Sequence, residues 1–285
     1  TLVNSLGSRL RSFGQSVGVL AIDPSSPFTR GAILGDRIRM GDLAGDHGVF
    51  IRSLATRGSL GGLARATSEA TTIMDAAGFD RVIIETVGVG QAEVEIVNVA
   101  HTTVLVEAPD FGDDIQTLKA GLLEIADLVL VNQADNPKAE QAFRAMQVML
   151  STGYYAGLGE DPCTEAISGP DDVVHRPDSE NIWQVPLLKT VGLTGEGVDP
   201  LVQHLDLHYA YLERSGELSR RRRAAARWAL EMRLHDRLYT NFVDNQVEGK
   251  ISSLVEAVLS GETDPYSAAD LLLKEWNRYD AHKRS

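Results

Sequence analysis

Residues 81–91 read RVIIETVGVGQ, and this stretch decides the fold expected for the chain. An apolar, β-branched run leads to Glu85 and passes at once into a glycine-rich turn, which is typical of a buried strand that ends at a ligand-binding edge. Taken alone, the same letters also fit an ordinary strand that ends in an acid and a turn. The rest of the chain decides between the two interpretations.

Similar apolar runs recur on both sides of this stretch and alternate with segments of helical periodicity. Strands are predicted at residues 17–22, 102–106, 128–132 and 185–188, and helices at residues 1–13, 61–77, 113–126 and 137–150. Strands that alternate with helices form a parallel sheet with helices on its faces. The prediction is therefore an α/β, doubly wound, mainly parallel sheet.

The composition changes after about residue 205, where Arg, Ala, Leu and Glu dominate. Helical patterns follow at residues 219–239, 246–259 and 268–279, which predicts a helical arm. We therefore divide the chain into an α/β domain, residues 1–205, and an arm, residues 206–285. The basic run at residues 220–223 fits a solvated helix face better than a site for an anionic partner.

The bulk composition limits the classes of function. The chain has 285 residues, a formal net charge of -13, a pI near 5.0 and a single cysteine, Cys163. So acidic a chain argues against nucleic acid as a partner, because phosphate contacts need clustered positive charge. One cysteine excludes an internal disulfide, and the absence of a long apolar run or signal pattern predicts a cytoplasmic protein with no membrane span.

Carboxylates follow or end several of the predicted strands. Asp23 ends one strand, in the segment AIDPSSP at residues 21–27, and Asp36 lies further along the same loop. Together with Glu85 they suit Mg²⁺, a hard cation that prefers oxygen ligands. In P-loop NTPases an acid at the position of Glu85 orients Mg²⁺ or its water, and a glycine such as Gly88 lets a backbone N–H approach the γ-phosphate. Asp36 by itself also fits a surface turn or a helix cap.

Residues 129–135 read VLVNQAD and resemble the N-K-x-D element that recognises guanine. The Asp135 carboxylate is suited to accept from the ring N–H and the amino group of guanine, a pair that adenine does not offer. Gln133 stands where lysine is usual and keeps part of the aliphatic stem without the charge. After the next strand, the backbone amides of Val191, Gly192 and Leu193 are expected to face the guanine carbonyl. The ordinary alternative is a strand-to-loop turn.

The sequence contains no G-x-x-x-x-G-K-[ST] string, the loop that cradles phosphates in P-loop NTPases. The helix predicted at residues 1–13 is similar to the helix that normally follows this loop. We therefore expect the native protein to extend upstream to a P-loop, and the chain as it stands to bind nucleotide weakly or not at all.

With these segments in hand, the chain resembles the methylmalonyl-CoA-mutase-associated GTPases, the group of MeaB and the former ArgK kinases in the SIMIBI class of P-loop GTPases. The strings that carry the resemblance are DPSSPFTRGAILGDRIRM, FIRSLATRGSLGGLARAT, IIETVGVGQAEVEI, GDDIQTLKAGLLEIAD and VNQAD, which begin at residues 23, 50, 83, 112 and 131. The resemblance implies a homodimeric GTPase with a dimerisation arm. It also implies a partner, an adenosylcobalamin-dependent acyl-CoA mutase, whose cofactor loading the GTPase gates and which it protects from inactivation.

The resemblance also assigns roles to individual residues. It implies Mg²⁺-associated acids at Asp23, Asp36 and Glu85, switch II at residues 88–93 and an additional switch at residues 109–116. GTP and GDP are expected to contact Asn132, Gln133 and Asp135. They are also expected to contact residues 191–193, which stand at the position of the family's Ser-Ala-Leu loop. Within switch II, Gln91 is a candidate for orienting the attacking water, with a structural or partner-facing role equally open.

Three alternatives stay open at this point. A metal-delivering GTPase of the same class needs a Cys/His ligand cluster, and one cysteine with histidines scattered along the sequence argues against such a cluster. A small-molecule kinase, as the old ArgK label suggests, would transfer phosphate to an acceptor without a mutase. A scaffold that has lost nucleotide binding would keep only the arm for dimerisation.

Overall fold

The structure is a computed structural model. The residues it describes are 1–23, 40–41, 43, 45–55, 62–86, 97–109, 120–151, 182–242 and 248–283. They form two compact units, residues 1–226 and residues 227–285.

Parallel strands and helices alternate along the first unit. Its strands are β1 (Val17–Asp23), β2 (Val49–Ala55), β3 (Arg81–Thr86), β4 (Val104–Glu107), β5 (Leu128–Val131) and β6 (Leu187–Lys189). Its helices are α1 (Leu2–Ser12), α2 (Gly62–Ala76), α3 (Ala120–Glu124), α4 (Ala139–Ser151) and α5 (Val198–Arg214). Helix α6 (Glu217–Phe242) begins in this unit.

The described strands form two three-stranded parallel sheets. The first has the order β2-β1-β3 and the second the order β4-β5-β6, with every pair parallel. The predicted α/β class is confirmed, and the predicted strands lie within about two residues of the observed ones. The sequence analysis did not predict β2. In this outer strand Phe50 is 49% exposed, and Arg52 and Ser53 interrupt the apolar pattern.

Alternate residues of the central strands face opposite helical layers. In β1, Val17 and Val19 pack in a cluster with Leu10 of α1, whereas Gly18 lies against Met74 of α2. In β5, Leu128 and Leu130 pack in a cluster with Leu201 of α5, whereas Val129 and Val131 are buried on the side of α4. Helices therefore cover both faces of each sheet, which is the doubly wound arrangement expected from two-sided apolar strands.

Helix α1 joins the two sheets. Leu2 and Leu6 pack against the buried clusters of both sheets, and Val198 and Val202 of α5 belong to the cluster of the first sheet. The helix predicted at residues 1–13 therefore packs between the two sheets of the unit.

The second unit is helical. It contains the rest of α6, α7 (Glu248–Leu259) and α8 (Pro265–Lys283), and α7 and α8 contact each other. Asp264 caps α8, because its carboxylate accepts from the backbone N–H of Tyr266 and Ser267 at 2.9 and 3.0 Å. The boundary between the two compact units falls after Ala226 in the sequence. The division into two functional domains at residue 205 stays a prediction.

Candidate nucleotide-binding site

The carboxyl ends of the strands in both sheets face the same side of the first unit. Helix α1 starts beside the loop that follows β6, where Ser5 contacts Gly192, and ends near the start of β1. It therefore runs opposite to the strands of both sheets. In open α/β sheets ligands bind at the carboxyl edge, which is where the predicted site residues of β3, β5 and β6 lie.

Asn132, the first residue after β5, is held by the loop after β6. Its Oδ1 accepts from the backbone N–H of Gly192 at 2.9 Å and from the Thr190 hydroxyl at 3.2 Å. Its own backbone N–H donates to the carbonyl oxygen of Glu107 at 2.8 Å. The loop after β6 therefore fixes the carboxamide, and the end of β4 fixes the backbone of the same residue.

The turn that follows Asn132 has a left-handed residue at its centre. Gln133 has φ = 57°, the one positive φ among the described non-glycine residues. Ala134 N–H donates to Thr190 O at 3.0 Å and Asn136 N–H donates to Gln133 O at 2.9 Å, so backbone bonds on both sides hold the turn. The side chains of Gln133 and Asp135 are exposed at this edge.

The loop at residues 190–197 is tightly closed. Val191 N–H donates to Glu196 O at 2.9 Å, and Val191 is only 5% exposed, whereas Leu193 is 82% exposed. A Cβ at Gly192 would lie 3.0 Å from the backbone nitrogen of Leu2, so the loop is seated on the first turn of α1. Ser5 of the same helix donates its hydroxyl to Gly192 O at 2.6 Å.

The predicted base-recognition residues therefore share one place, and the structure adds two residues to them. Thr190 and Ser5 were missed by the sequence analysis. Thr190 directly follows a strand at the same edge as Asn132, which is a signal that was available. Ser5 carries no such signal, because its partner Gly192 lies 187 residues away.

The predicted phosphate and Mg²⁺ residues are only partly described. Glu85 is half-buried in β3, where it pairs with Ala21 of the neighbouring parallel strand β1, and Asp23 ends β1. The backbone of these strands therefore brings both positions to the same edge, and carboxylate oxygens are ligands that Mg²⁺ prefers. The Asp23 side chain and residues Asp36, Gly88 and Gln91 lie outside the described residues. The Mg²⁺ site and the catalytic roles stay predictions.

A second polar cluster lies at the amino end of the second sheet, opposite the carboxyl edge that carries the predicted site residues. Asp127, directly before β5, accepts from Thr103 N–H at 2.8 Å and pairs with Arg221 of α6 at 2.8 Å. His208 of α5 lies 3.2 Å from the same carboxylate and its Nδ1 lies 2.8 Å from the Thr102 hydroxyl. Burial alone raises the pKa of Asp127, but the contacts with His208 and Arg221 outweigh it and hold that pKa below its ordinary value.

Within the described part of the chain, no group of three His, Cys, Asp or Glu side chains is arranged to hold a metal ion. No helix in the same part is long and apolar enough to cross a membrane.

The fold and the site together define a class, the nucleotide-binding α/β proteins of the P-loop GTPase kind. A comparison with family models then gives the particular family. The model for "Methylmalonyl Co-A mutase-associated GTPase MeaB" matches residues 1–247, and the chain belongs to this family. The family and the GTPase class predicted from the sequence are both confirmed.

Curated relatives agree with this assignment. A Pyrococcus horikoshii protein assigned as a GTPase is 43% identical over 278 residues, which cover 96% of this chain and 80% of that protein. The mouse protein named methylmalonic aciduria type A homolog, mitochondrial, is 31% identical over 96% of this chain and 61% of its own length. The Escherichia coli protein named GTPase ArgK is 44% identical over 135 residues, 47% of this chain and 41% of that protein.

A solved structure supports the fold. A crystal structure described as LAO/AO transport system kinase matches 97% of this chain and 76% of its own, with a TM-score of 0.63 and 22% identity. At that identity the match establishes the P-loop GTPase fold and no more.

Proposed function

We propose that this chain is a GTP- and GDP-binding, Mg²⁺-dependent GTPase that serves as a homodimeric chaperone of an adenosylcobalamin-dependent acyl-CoA mutase in the cytoplasm. It gates loading of the cofactor into the mutase and protects the mutase from inactivation. The observation that carries the nucleotide part is the joint fixation of Asn132 by Gly192 and Thr190, next to the exposed Asp135. Membership of the mutase-associated family supports the partner.

The selectivity for guanine rests on hydrogen-bond geometry. Asp135, when ionised, accepts from both the ring N–H and the amino group of guanine. Asn132 is preorganised by its two donors, so binding the base requires little further ordering. The exposed, left-handed turn at Gln133 leaves this edge open to the ligand.

Hydrolysis is proposed as attack of water on the γ-phosphorus in line with the bond to the bridging oxygen, which breaks to give GDP and phosphate. Asp23, Asp36 and Glu85 are the residues proposed to hold Mg²⁺, which when bound neutralises charge on the β- and γ-phosphates. Gly88 is proposed to present a backbone N–H to the γ-phosphate and Gln91 to orient the water. We expect slow turnover by the chaperone alone, with the mutase ordering the switches at residues 88–93 and 109–116.

The homodimer is proposed to form through the second unit. Leu230, Leu234 and Leu238 follow one another at four-residue spacing on α6 and are 69%, 55% and 55% exposed. A stripe of large exposed leucines on one helix is typical of a surface that another helix covers. A second copy of this arm provides such a helix and the same stripe, as a two-fold interface requires.

Nucleotide binding is tested in the full-length protein by titration with GTP, GDP and ATP. Asp135→Ala is expected to weaken GTP and GDP by at least about tenfold, because two hydrogen bonds to the base are lost. Asp75→Ala, which removes an exposed acid from α2, is the matched control and is expected to bind like the wild type. Unchanged GDP affinity in Asp135→Ala would refute the guanine assignment.

The chaperone role is tested with purified methylmalonyl-CoA and isobutyryl-CoA mutases. One of them is expected to co-elute with the chain and to change its affinity between GDP and a non-hydrolysable GTP analogue. Cofactor loading of that mutase, followed by cobalamin absorbance, is expected to depend on GTP. Phosphate transfer from labelled GTP to an acceptor such as arginine, with no effect on either mutase, would favour the kinase instead.

A further inference from the structure

Both peptide units that flank Gly192 are held by side chains from distant parts of the chain. The Gly192 N–H donates to Asn132 Oδ1 at 2.9 Å, and the Gly192 carbonyl accepts from Ser5 Oγ at 2.6 Å. Asn132 and Ser5 lie 60 and 187 residues from Gly192. The orientation of the loop is therefore set by β5 on one side and by α1 on the other.

The bond from Ser5 also orients the next amide. In a planar trans peptide the carbonyl and the following N–H point in opposite directions. No cis peptide occurs among the described residues. Because Ser5 turns the Gly192 carbonyl toward α1, the N–H of Leu193 turns away from α1.

The backbone N–H groups of Val191, Gly192 and Leu193 differ in their hydrogen-bond partners. Val191 N–H donates to Glu196 O, and Gly192 N–H donates to Asn132. Within the described part of the chain, Leu193 N–H donates to no protein acceptor, and the residue is 82% exposed. Of the three amides, the one oriented by Ser5 is therefore the one available to a ligand.

We propose that Ser5 is a positioning residue for base recognition, which sets the Gly192–Leu193 peptide so that Leu193 N–H donates to the 6-oxo group of guanine. This inference rests on the proposed binding of guanine nucleotides. The close packing of the loop against α1 supports this role of Ser5, since a Cβ at Gly192 would lie 3.1 Å from Leu2 Cα. The loop thus lies close against the first turn of α1, where the Ser5 hydroxyl decides which way the peptide faces.

The experiment compares four forms of the full-length protein: wild type, Ser5→Ala, Ser5→Thr and Ser8→Ala. Ser8 is an exposed serine of the same helix and serves as the matched control. The nucleotides are GDP and 2-aminopurine riboside diphosphate, which lacks the 6-oxo group. Affinity is measured by calorimetry, and thermal unfolding without nucleotide monitors the fold.

Ser5→Ala is expected to bind GDP about three- to tenfold more weakly, in line with the loss of one neutral hydrogen bond. Its affinity for the 2-aminopurine nucleotide is expected to stay at the wild-type value. Ser5→Thr, which keeps the hydroxyl, is expected to restore GDP binding, and Ser8→Ala to leave it unchanged.

Three results would overturn the inference. If Ser5→Ala binds GDP as Ser8→Ala does, or if it weakens the binding of both nucleotides equally, Ser5 only supports the packing of α1. Wild-type protein that binds no GDP would overturn the proposed function as well, so the two failures are distinguishable.

Discussion

Arg221 and Asp127, which are 94 residues apart in the sequence, form a bidentate ion pair, with Nη1 to Oδ2 at 2.9 Å and Nη2 to Oδ1 at 2.8 Å. The Arg221 Nη1 also donates to the carbonyl oxygen of His101 at 2.8 Å. Asp127 precedes β5, and Arg221 lies in the part of α6 that belongs to the first unit. The pair therefore fastens the start of α6 to the amino end of the second sheet.

Removal of either partner is expected to destabilise the first unit. Arg221→Ala leaves the carboxylate of Asp127, whose side chain is only 10% exposed, without its main counter-charge. The expected loss is about 3 kcal/mol in the free energy of unfolding, the low end of the range for buried pairs because Arg221 is 29% exposed. Urea unfolding measures it, with Arg222→Ala on the same helix as the control. Equal effects of the two substitutions would show that the pair contributes nothing specific.

The same pair predicts a pH dependence. The pKa of Asp127 is lowered in the folded protein, so its contribution to stability is present above the unfolded value of about 4 and is lost as pH falls through the folded pKa. The difference in unfolding free energy between wild type and Asp127→Asn is expected to be constant from about pH 5 to pH 7 and to shrink below about pH 4. A difference that does not change with pH would contradict the ionised carboxylate.

Gly197→Ala is expected to lower the free energy of unfolding. It has φ = 77°, and a Cβ there would lie 2.1 Å from the carbonyl oxygen of Lys189. Left-handed strain of about 1 kcal/mol and a backbone collision of about 1 to 3 kcal/mol together predict a loss of about 2 to 4 kcal/mol in unfolding free energy. Gly195, with φ = 83° and no atom within 4 Å of its Cβ position, is the matched control. Gly195→Ala is expected to lose only about 1 kcal/mol, and similar losses at both positions would refute the collision.

Gln133→Lys is expected to strengthen nucleotide binding. The side chain is exposed at the proposed nucleotide edge, and the substitution adds a positive charge on a similar stem. If the new ammonium group forms an exposed ion pair with a phosphate, GDP affinity is expected to rise by about two- to fivefold in the full-length protein. The gain is expected to decline in high salt, because salt screens exposed charges. Gln147→Lys near the end of α4 adds the same charge elsewhere. A gain that is equal for both variants would indicate general attraction instead of a local contact.

Leu234→Ser is expected to dissociate the proposed dimer. The substitution removes the central leucine of the exposed stripe on α6. Sedimentation equilibrium is expected to show wild type as a dimer and Leu234→Ser as mainly a monomer, with the helix content of both unchanged. His235→Ser, an exposed change beside the stripe, is expected to leave the dimer intact. A monomeric wild type, or a dimeric Leu234→Ser, would refute this interface.

Local patterns explain why so much of the fold was predictable. The apolar run that leads to Glu85 and the apolar run that ends in Asn132 each combine an apolar pattern with a polar end within a few residues. Such short-range signals fix the type of an element before any tertiary contact forms. Strand β2 escaped prediction because its exposed Phe50 and Arg52 interrupt the apolar pattern that marks the other strands.

By itself, then, the sequence determined the α/β class and the family, and it predicted a guanine-recognition element at Asn132 and Asp135. These depend on residue types at fixed short spacing, which the chain displays without folding. Only the tertiary structure decided that Ser5 and Thr190 lie with the predicted base-recognition residues, that Gln133 is left-handed and that Arg221 pairs with Asp127. Contacts between residues tens to nearly two hundred positions apart follow from how the helices pack on the sheets, and no local pattern records that packing.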